Sequence, residues 1–190
     1  MKRLTLVLGG ARSGKSSFAE RLALSQSEAV TYFATADCCD SEMKKRIELH
    51  KSRRPESWGL WEGRPEALPE ALAASQGLLL LDCLTMWLTR LFLAEPAAEA
   101  TSENEWHEAE QKILSLTESL CASVNERASL IIVSNEVGFG LVPPYQLGRR
   151  FRDLQGRVNQ RCAAAADKVV LVVAGCPLWI KGGSDQNGLS

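Results

Sequence analysis

An apolar run, Leu4-Thr5-Leu6-Val7-Leu8, leads directly into Gly9-Gly10-Ala11-Arg12-Ser13-Gly14-Lys15-Ser16, which fills every fixed position of the phosphate-binding loop pattern. Such a loop belongs between a buried strand and a helix, so this one segment commits the chain to a strand–loop–helix start and an α/β fold. The residue types explain themselves. Glycine admits backbone conformations closed to other residues, so that successive N–H groups can turn inward around a phosphate. Lys15 adds a mobile positive charge for the β- and γ-phosphates, and the Ser16 hydroxyl can hold Mg²⁺. The following Ser17-Phe18-Ala19-Glu20-Arg21-Leu22-Ala23-Leu24 reads as an amphipathic helix whose positive N-terminal end faces the anion. The alternative is a glycine-rich turn that binds nothing.

Short apolar runs then alternate with longer helical patterns, the mark of a mostly parallel sheet covered by helices on both faces. Strands are expected at Leu4 to Leu8, Ala29 to Ala34, Leu78 to Leu81, Ser129 to Ser134 and Lys168 to Ala174. Helices are expected at Lys15 to Gln26, Ser41 to Arg53, Glu66 to Ala74, Thr85 to Ala94, Glu105 to Ala128 and Arg149 to Ala166. Runs such as Leu78-Leu79-Leu80-Leu81 lack polar alternation, so both faces of the sheet are expected under helices, with the phosphate-loop strand in a central place. Glu95 to Asn104 is small, polar and acidic and reads as a solvated loop.

The 190 residues fit one domain, expected over 1–181, with 182–190 as a flexible tail. With 22 Lys plus Arg against 23 Asp plus Glu, the net charge of −1 offers no global attraction for nucleic acid or an anionic membrane. No run approaches the roughly 18 apolar residues of a membrane span. Lys2 and Arg3 resemble a signal-peptide start, but the phosphate loop follows too closely for a cleavage site, so a cytoplasmic location is expected. Cysteines at 38, 39, 83, 121, 162 and 176 have neither zinc-site nor disulfide-framework spacing and read as reduced thiols.

Further residues could carry chemistry. Asp82 ends its all-leucine strand where a carboxylate can face the phosphate loop and its Mg²⁺; the competing role is an N-cap for the helix near Thr85. In Arg46-Ile47-Glu48-Leu49-His50-Lys51-Ser52-Arg53-Arg54-Pro55, helical spacing sets an imidazole among cations. Either a polyanion joins them, with His50 kept neutral and nucleophilic, or the segment is a solvated basic face. Glu62 could accept hydrogen bonds from a base or ribose. His107 reads as helix surface. Asn135 and Glu136 leave a buried strand at the sheet edge shared by Ser16 and Asp82, where α/β folds bind ligands. The helix beginning at Arg149 carries five arginines; Arg149, Arg152 and Asp153 suit a phosphorylated substrate, a subunit interface or plain solvation.

Taken together, these segments resemble the bifunctional adenosylcobinamide kinase/adenosylcobinamide-phosphate guanylyltransferase family. The resemblance rests on Gly9 to Ser16, Ala34-Thr35-Ala36, Arg46-Ile47-x-x-His50 with Arg54-Pro55, Asp82-Cys83-Leu84-Thr85, Asn135-Glu136-Val137-Gly138-x-Gly140-x-Val142-Pro143, and Arg152-Asp153-x-x-Gly156-x-x-Asn159-Gln160. It implies a RecA-like P-loop NTPase fold, a homotrimer, Mg²⁺, and GTP and ATP as substrates. Two reactions follow from it: phosphorylation of adenosylcobinamide by a nucleoside triphosphate, then transfer of GMP from GTP, through a guanylylated histidine, to adenosylcobinamide phosphate. That histidine carries over onto His50, catalytic beside Lys15. The nucleotide contacts carry over onto Gly9, Gly10, Ala11, Arg12, Ser13, Gly14, Lys15, Ser16, Ala34, Thr35, Ala36, Lys51, Ser52, Arg53, Arg54, Glu62 and Asp82, with Ser16 and Asp82 at the metal. The competing readings are a single-activity P-loop kinase for another small alcohol and a nucleotide-gated interaction module.

Overall fold

The computed structural model of the chain describes residues 3–36, 55–98 and 102–183. The segment with the expected helix at Ser41 to Arg53, and with it His50, Lys51, Ser52, Arg53 and Arg54, lies outside the described residues, as do most of the expected tail and three residues of the acidic loop.

The elements follow the α/β alternation. Strand β1 (Arg3–Gly9) leads into helix α1 (Lys15–Leu24), then β2 (Val30–Ala34) and β3 (Gly59–Glu62). Helix α2 (Leu68–Ala74), β4 (Gly77–Asp82), α3 (Leu84–Ala94) and α4 (Glu103–Ala122) follow. The chain continues with β5 (Ala128–Asn135), α5 (Gln146–Ala165), β6 (Lys168–Val173) and β7 (Cys176–Lys181). The seven strands form one sheet in the order β3-β2-β4-β5-β1-β6-β7, parallel except for β7 against β6. The phosphate-loop strand therefore runs between two parallel neighbours, β5 and β6, as its apolar character requires.

Side-chain alternation divides the core between the two faces of the sheet. Leu4, Leu6, Leu79, Leu81, Leu130 and Ile132 pack with residues of α2 to α5, including Leu72, Trp87, Leu88, Ile113, Leu120 and Leu154. Val7, Leu78, Leu80, Ile131, Val133, Val170 and Val172 pack with Ala19 and Ala23 of α1. Each such side chain contributes roughly 1.5–3 kcal/mol on burial, so the leucine-rich strands supply much of the driving force. Trp87, wholly enclosed, satisfies its indole N–H by donating to the Pro65 carbonyl at 2.7 Å.

Two strands escape the sequence pattern. In β3, Leu60 and Glu62 are exposed and Trp61 is half-buried, so no apolar run announces the strand. Its aromatic residues hold it: Trp58, just ahead of it, stacks on Tyr32 at 6.5 Å, and Trp61 packs tilted against Phe33 at 5.4 Å between ring centroids. Strand β7 is exposed along its length and is joined to β6 by the tight turn Ala174-Gly175, both with positive φ, the conformation that favours two-residue hairpins. Helix α4 also ends earlier than its pattern. Asn125 accepts from the Arg127 N–H through its side chain at 2.8 Å, an Asx turn that redirects the chain into β5. At its start, the Ser102 hydroxyl accepts from the Glu105 N–H at 3.4 Å, half of a capping box.

The arginines of α5 turn out to be partly structural. Arg150 is buried, donating to the Ala98 carbonyl at 3.1 Å and to Glu103 at 3.0 Å while lying over the Trp106 ring. Arg157 pairs with Glu110 and Arg161 with Glu118, so three of the five arginines bind α5 to acidic residues of α4. The acidic loop is accordingly more than solvated: Ala98 is buried beneath Arg150.

Candidate active site

Parallel pairing brings five strand ends to one edge. Glu62 of β3 lies opposite Ala34 of β2, Ala34 opposite Asp82 of β4, Asp82 opposite Val133 of β5, and Asn135 opposite Gly9 of β1. Of the residues expected at the site, Gly9 to Ser16, Ala34, Thr35, Ala36, Glu62 and Asp82 therefore lie on or next to this edge, joined by Asn135 and Glu136.

The phosphate loop has the geometry that its glycines foretell. Arg12 and Gly14 take positive φ values of 57° and 91°, and Gly14 is the N-cap of α1 without any side-chain cap. The first amides of α1 are thus left to a ligand, in the arrangement that suits an anion. Gly9 is needed for another reason. A Cβ there would strike the Ser13 hydroxyl and approach the Val172 carbonyl oxygen to 2.7 Å. The Ser13 Oγ is itself buried with no hydrogen-bond partner among the described residues. A contact not foreseen from the sequence braces the loop from outside: the Gly175 N–H, in the β6–β7 turn, donates to the Ser13 carbonyl at 2.8 Å. Phe18 of α1 meets Trp179 of β7 edge-on at 6.2 Å. A glycine between two apolar runs was the only available signal for this brace.

Lys15 folds back over the loop and donates to the Gly10 carbonyl at 3.2 Å. Burial lowers its pKa, and this outweighs the opposing attraction of the Asp82 carboxylate. An ammonium held partly out of water beside a set of free amides is poised for an anion. Cys83 is pushed up to about 12 by burial first and by the Asp82 charge second, so its thiol stays protonated and is no nucleophile at neutral pH. Cys162 is raised too, by its hydrogen bond with Cys121, whose sulfur lies 3.6 Å away, and by burial. The four described cysteines, Cys83, Cys121, Cys162 and Cys176, are free thiols.

Asp82 stands one residue ahead of the α3 N-cap, Cys83, which makes no side-chain cap bond. Its carboxylate and the Ser16 hydroxyl are hard oxygen donors on the two elements that flank the phosphate position. That donor set suits Mg²⁺, which takes one or two protein oxygens and completes its shell with water and phosphate. Asp82→Asn is expected to lower Mg²⁺-dependent turnover at least tenfold, roughly, while metal-free nucleotide affinity stays within about threefold. A Mg²⁺ titration of activity checks this; a variant with only a lower melting temperature would remove Asp82 from the metal.

The Thr35 side chain is engaged within the fold. It is only 2% exposed, and its hydroxyl donates to the Cys83 carbonyl at 2.7 Å while accepting from the Cys83 N–H at 2.9 Å. It thereby fixes the residue after Asp82. Glu136 turns its carboxylate to the Gly138 N–H at 2.8 Å, while Phe139, Leu141, Val142 and Tyr145 stand exposed on the loop beyond. Arg149 donates to the Pro143 and Pro144 carbonyls at 3.2 and 2.8 Å, shaping that loop, and Arg152 pairs with its neighbour Asp153. His107 is exposed on α4.

A parallel sheet with an anion-binding loop after β1 and a carboxylate closing β4 defines a P-loop nucleotide-binding protein of RecA-like α/β fold. A solved structure of a prototypical ATPase from the type III secretion system of pathogenic bacteria shares it, with a TM-score of 0.52 and 11% identity over 89% of this chain and half of that one. Residues 5–180 match the family model described as cobinamide kinase / cobinamide phosphate guanyltransferase, and the chain belongs to that family. It is 42% identical over 182 residues to the bifunctional adenosylcobalamin biosynthesis protein CobU of Escherichia coli K12, covering 94% of this chain and 99% of that one. To the bifunctional adenosylcobalamin biosynthesis protein CobP of Pseudomonas aeruginosa it is also 42% identical, over 93% of this chain and 96% of that one.

Proposed function

We propose that one triphosphate site at this sheet edge serves two successive transfers. The chain is a bifunctional enzyme of adenosylcobalamin biosynthesis, a cobinamide kinase and cobinamide phosphate guanylyltransferase. In the first transfer the adenosylcobinamide hydroxyl attacks the γ-phosphorus of ATP or GTP. The bond from that phosphorus to the bridging oxygen breaks, the nucleoside diphosphate leaves and the hydroxyl proton is released. In the second, a ring nitrogen of His50 attacks the α-phosphorus of GTP and pyrophosphate leaves. The phosphate of adenosylcobinamide phosphate then attacks the same phosphorus, the N–P bond breaks, and adenosylcobinamide-GDP forms. Splitting the exchange through a phosphoramidate turns one hard displacement into two easier ones.

The observation that carries this reading is the phosphate loop with Lys15 above it, opposite Asp82, in a chain matched to the family over residues 5–180. The loop amides and Lys15 bind and orient the triphosphate; Ser16 and Asp82 would hold Mg²⁺, which supplies charge neutralisation on the phosphate oxygens. Ala34, Ala36 and Glu62 line the edge where a base or ribose can lie. The same reading makes the enzyme a cytoplasmic homotrimer acting on adenosylcobinamide and its phosphate, without nucleic acid. Incubation with GTP and Mg²⁺ followed by intact mass measurement tests it. An acid-labile, base-stable GMP adduct is expected, and its absence from protein that binds GTP would remove the covalent route.

A further inference from the structure

At the end of β5 the sheet runs out of strand on one side. The last register pair on the β4 side is Asp82 with Val133, two residues short of Asn135, whereas on the β1 side pairing continues to Gly9 and the Glu136 N–H still donates to the Gly9 carbonyl at 3.1 Å. In a parallel strand, alternate residues aim their peptide groups at opposite neighbours. The N–H and C=O of Asn135 thus point to where β4 has already ended. Two side chains from two helices take the place of the missing strand. The Thr85 hydroxyl of α3 accepts from the Asn135 N–H at 2.8 Å, and the Asn159 amide of α5 donates to the Asn135 carbonyl at 3.0 Å.

Both are buried, Thr85 at 6% and Asn159 at 5% exposure. Asn159 is held in turn: its Oδ1 accepts from the Ser134 hydroxyl at 2.7 Å and from the Gln155 amide at 3.0 Å. Burying polar groups costs stability unless they find partners, and here Thr85 and Asn159 satisfy the Asn135 N–H and C=O that apolar side chains would leave unpaired. What the polar set provides is direction. It sets the orientation of the peptide plane on each side of Asn135, and so the point at which the Asn135–Glu136 turn meets the phosphate loop.

We propose that Asn159 and Thr85 are positioning residues for transfer chemistry, acting through the backbone of Asn135 to place that turn against the first residue of the phosphate loop. The inference rests on the nucleotide-transfer reading of the site. A displaced turn changes the approach of the reacting groups more than it changes the affinity of the loop amides for phosphate, because a misplacement of about 1 Å can cost on the order of a hundredfold in rate.

Asn159→Asp keeps the size and the acceptors for Ser134 and Gln155 but loses the donor to Asn135. Thr85→Val loses the acceptor at constant volume, and Thr85→Ser restores it. Steady-state turnover of cobinamide and the dissociation constant of a non-hydrolysable GTP analogue are measured for each folded variant. Asn159→Asp and Thr85→Val are expected to lower kcat about tenfold or more with analogue affinity within about threefold, and Thr85→Ser to recover most of the loss. If Asn159→Asp and Thr85→Val lower only the melting temperature, or Thr85→Ser is as impaired as Thr85→Val, the proposal is overturned. Should Asn159→Asp fail to fold, the Thr85 pair decides. Parent turnover of cobinamide tests the functional reading separately: a parent that does not phosphorylate cobinamide overturns that reading, whereas a working parent whose variants match it overturns this proposal alone.

Discussion

Lys15→Met is expected to lower phosphoryl and guanylyl transfer together, each by about a hundredfold or more, because a single ammonium serves the triphosphate in both. The same substitution should leave the nucleotide-free protein no less stable. Burial lowers the Lys15 pKa, so in the folded state the charged form is disfavoured relative to the unfolded chain. Below the folded pKa that difference costs stability, and the cost fades as pH rises through the lowered value toward the ordinary lysine range. Methionine removes the charge at similar length. Thermal melts of the two proteins without nucleotide, at neutral pH and again as the pH approaches the ordinary lysine range, should show a variant advantage at neutral pH that shrinks as the pH rises. A variant that melts well below the parent while retaining turnover would mean that Lys15 is a structural residue. The physics is that of a site prepared for its ligand: a charge held partly out of water is costly until a phosphate arrives.

The second large effect is at His50. His50→Asn keeps a polar side chain of similar size and removes the ring nitrogen that the proposed route uses as nucleophile, so the covalent GMP adduct and GMP transfer to cobinamide phosphate should both disappear. Nucleotide binding should largely survive, because the loop amides and Lys15 are untouched. With GTP labelled at the α-phosphate, label retained on the variant, or reaching the corrinoid at the parent rate, would exclude His50 as the nucleophile. A nucleotide-gated module would give no adduct in either protein, and a single-activity kinase would keep its phosphoryl transfer unchanged in the variant.

How far the sequence reached follows from where the information lay. Buried parallel strands are written as apolar runs, and all five expected strands are present, with β1 extending to Gly9 and β5 to Asn135. The phosphate loop was legible because anion binding by backbone dictates glycine, lysine and serine at fixed spacing. Strand β7 was not, because an edge strand exposed along its length needs no apolar periodicity. Strand β3 hides for the same reason, its aromatic anchors looking like isolated tryptophans. The other arginines of α5 show a different limit: Arg150, Arg157 and Arg161 had no assigned role beyond being part of a basic helix, yet each is matched by a glutamate on α4, a pairing that only tertiary packing reveals. Thr35 was legible as belonging to the sheet edge, but its hydroxyl is engaged by Cys83.

The brace between Gly175 and Ser13 ties the phosphate loop to the last strand pair among the described residues. A nascent chain that has already emerged with its whole phosphate-loop motif still lacks the hairpin against which that loop is shaped. Protein cut short ahead of the hairpin is expected to carry the motif without this support for its loop, which a nucleotide-affinity measurement on such a truncated chain would check.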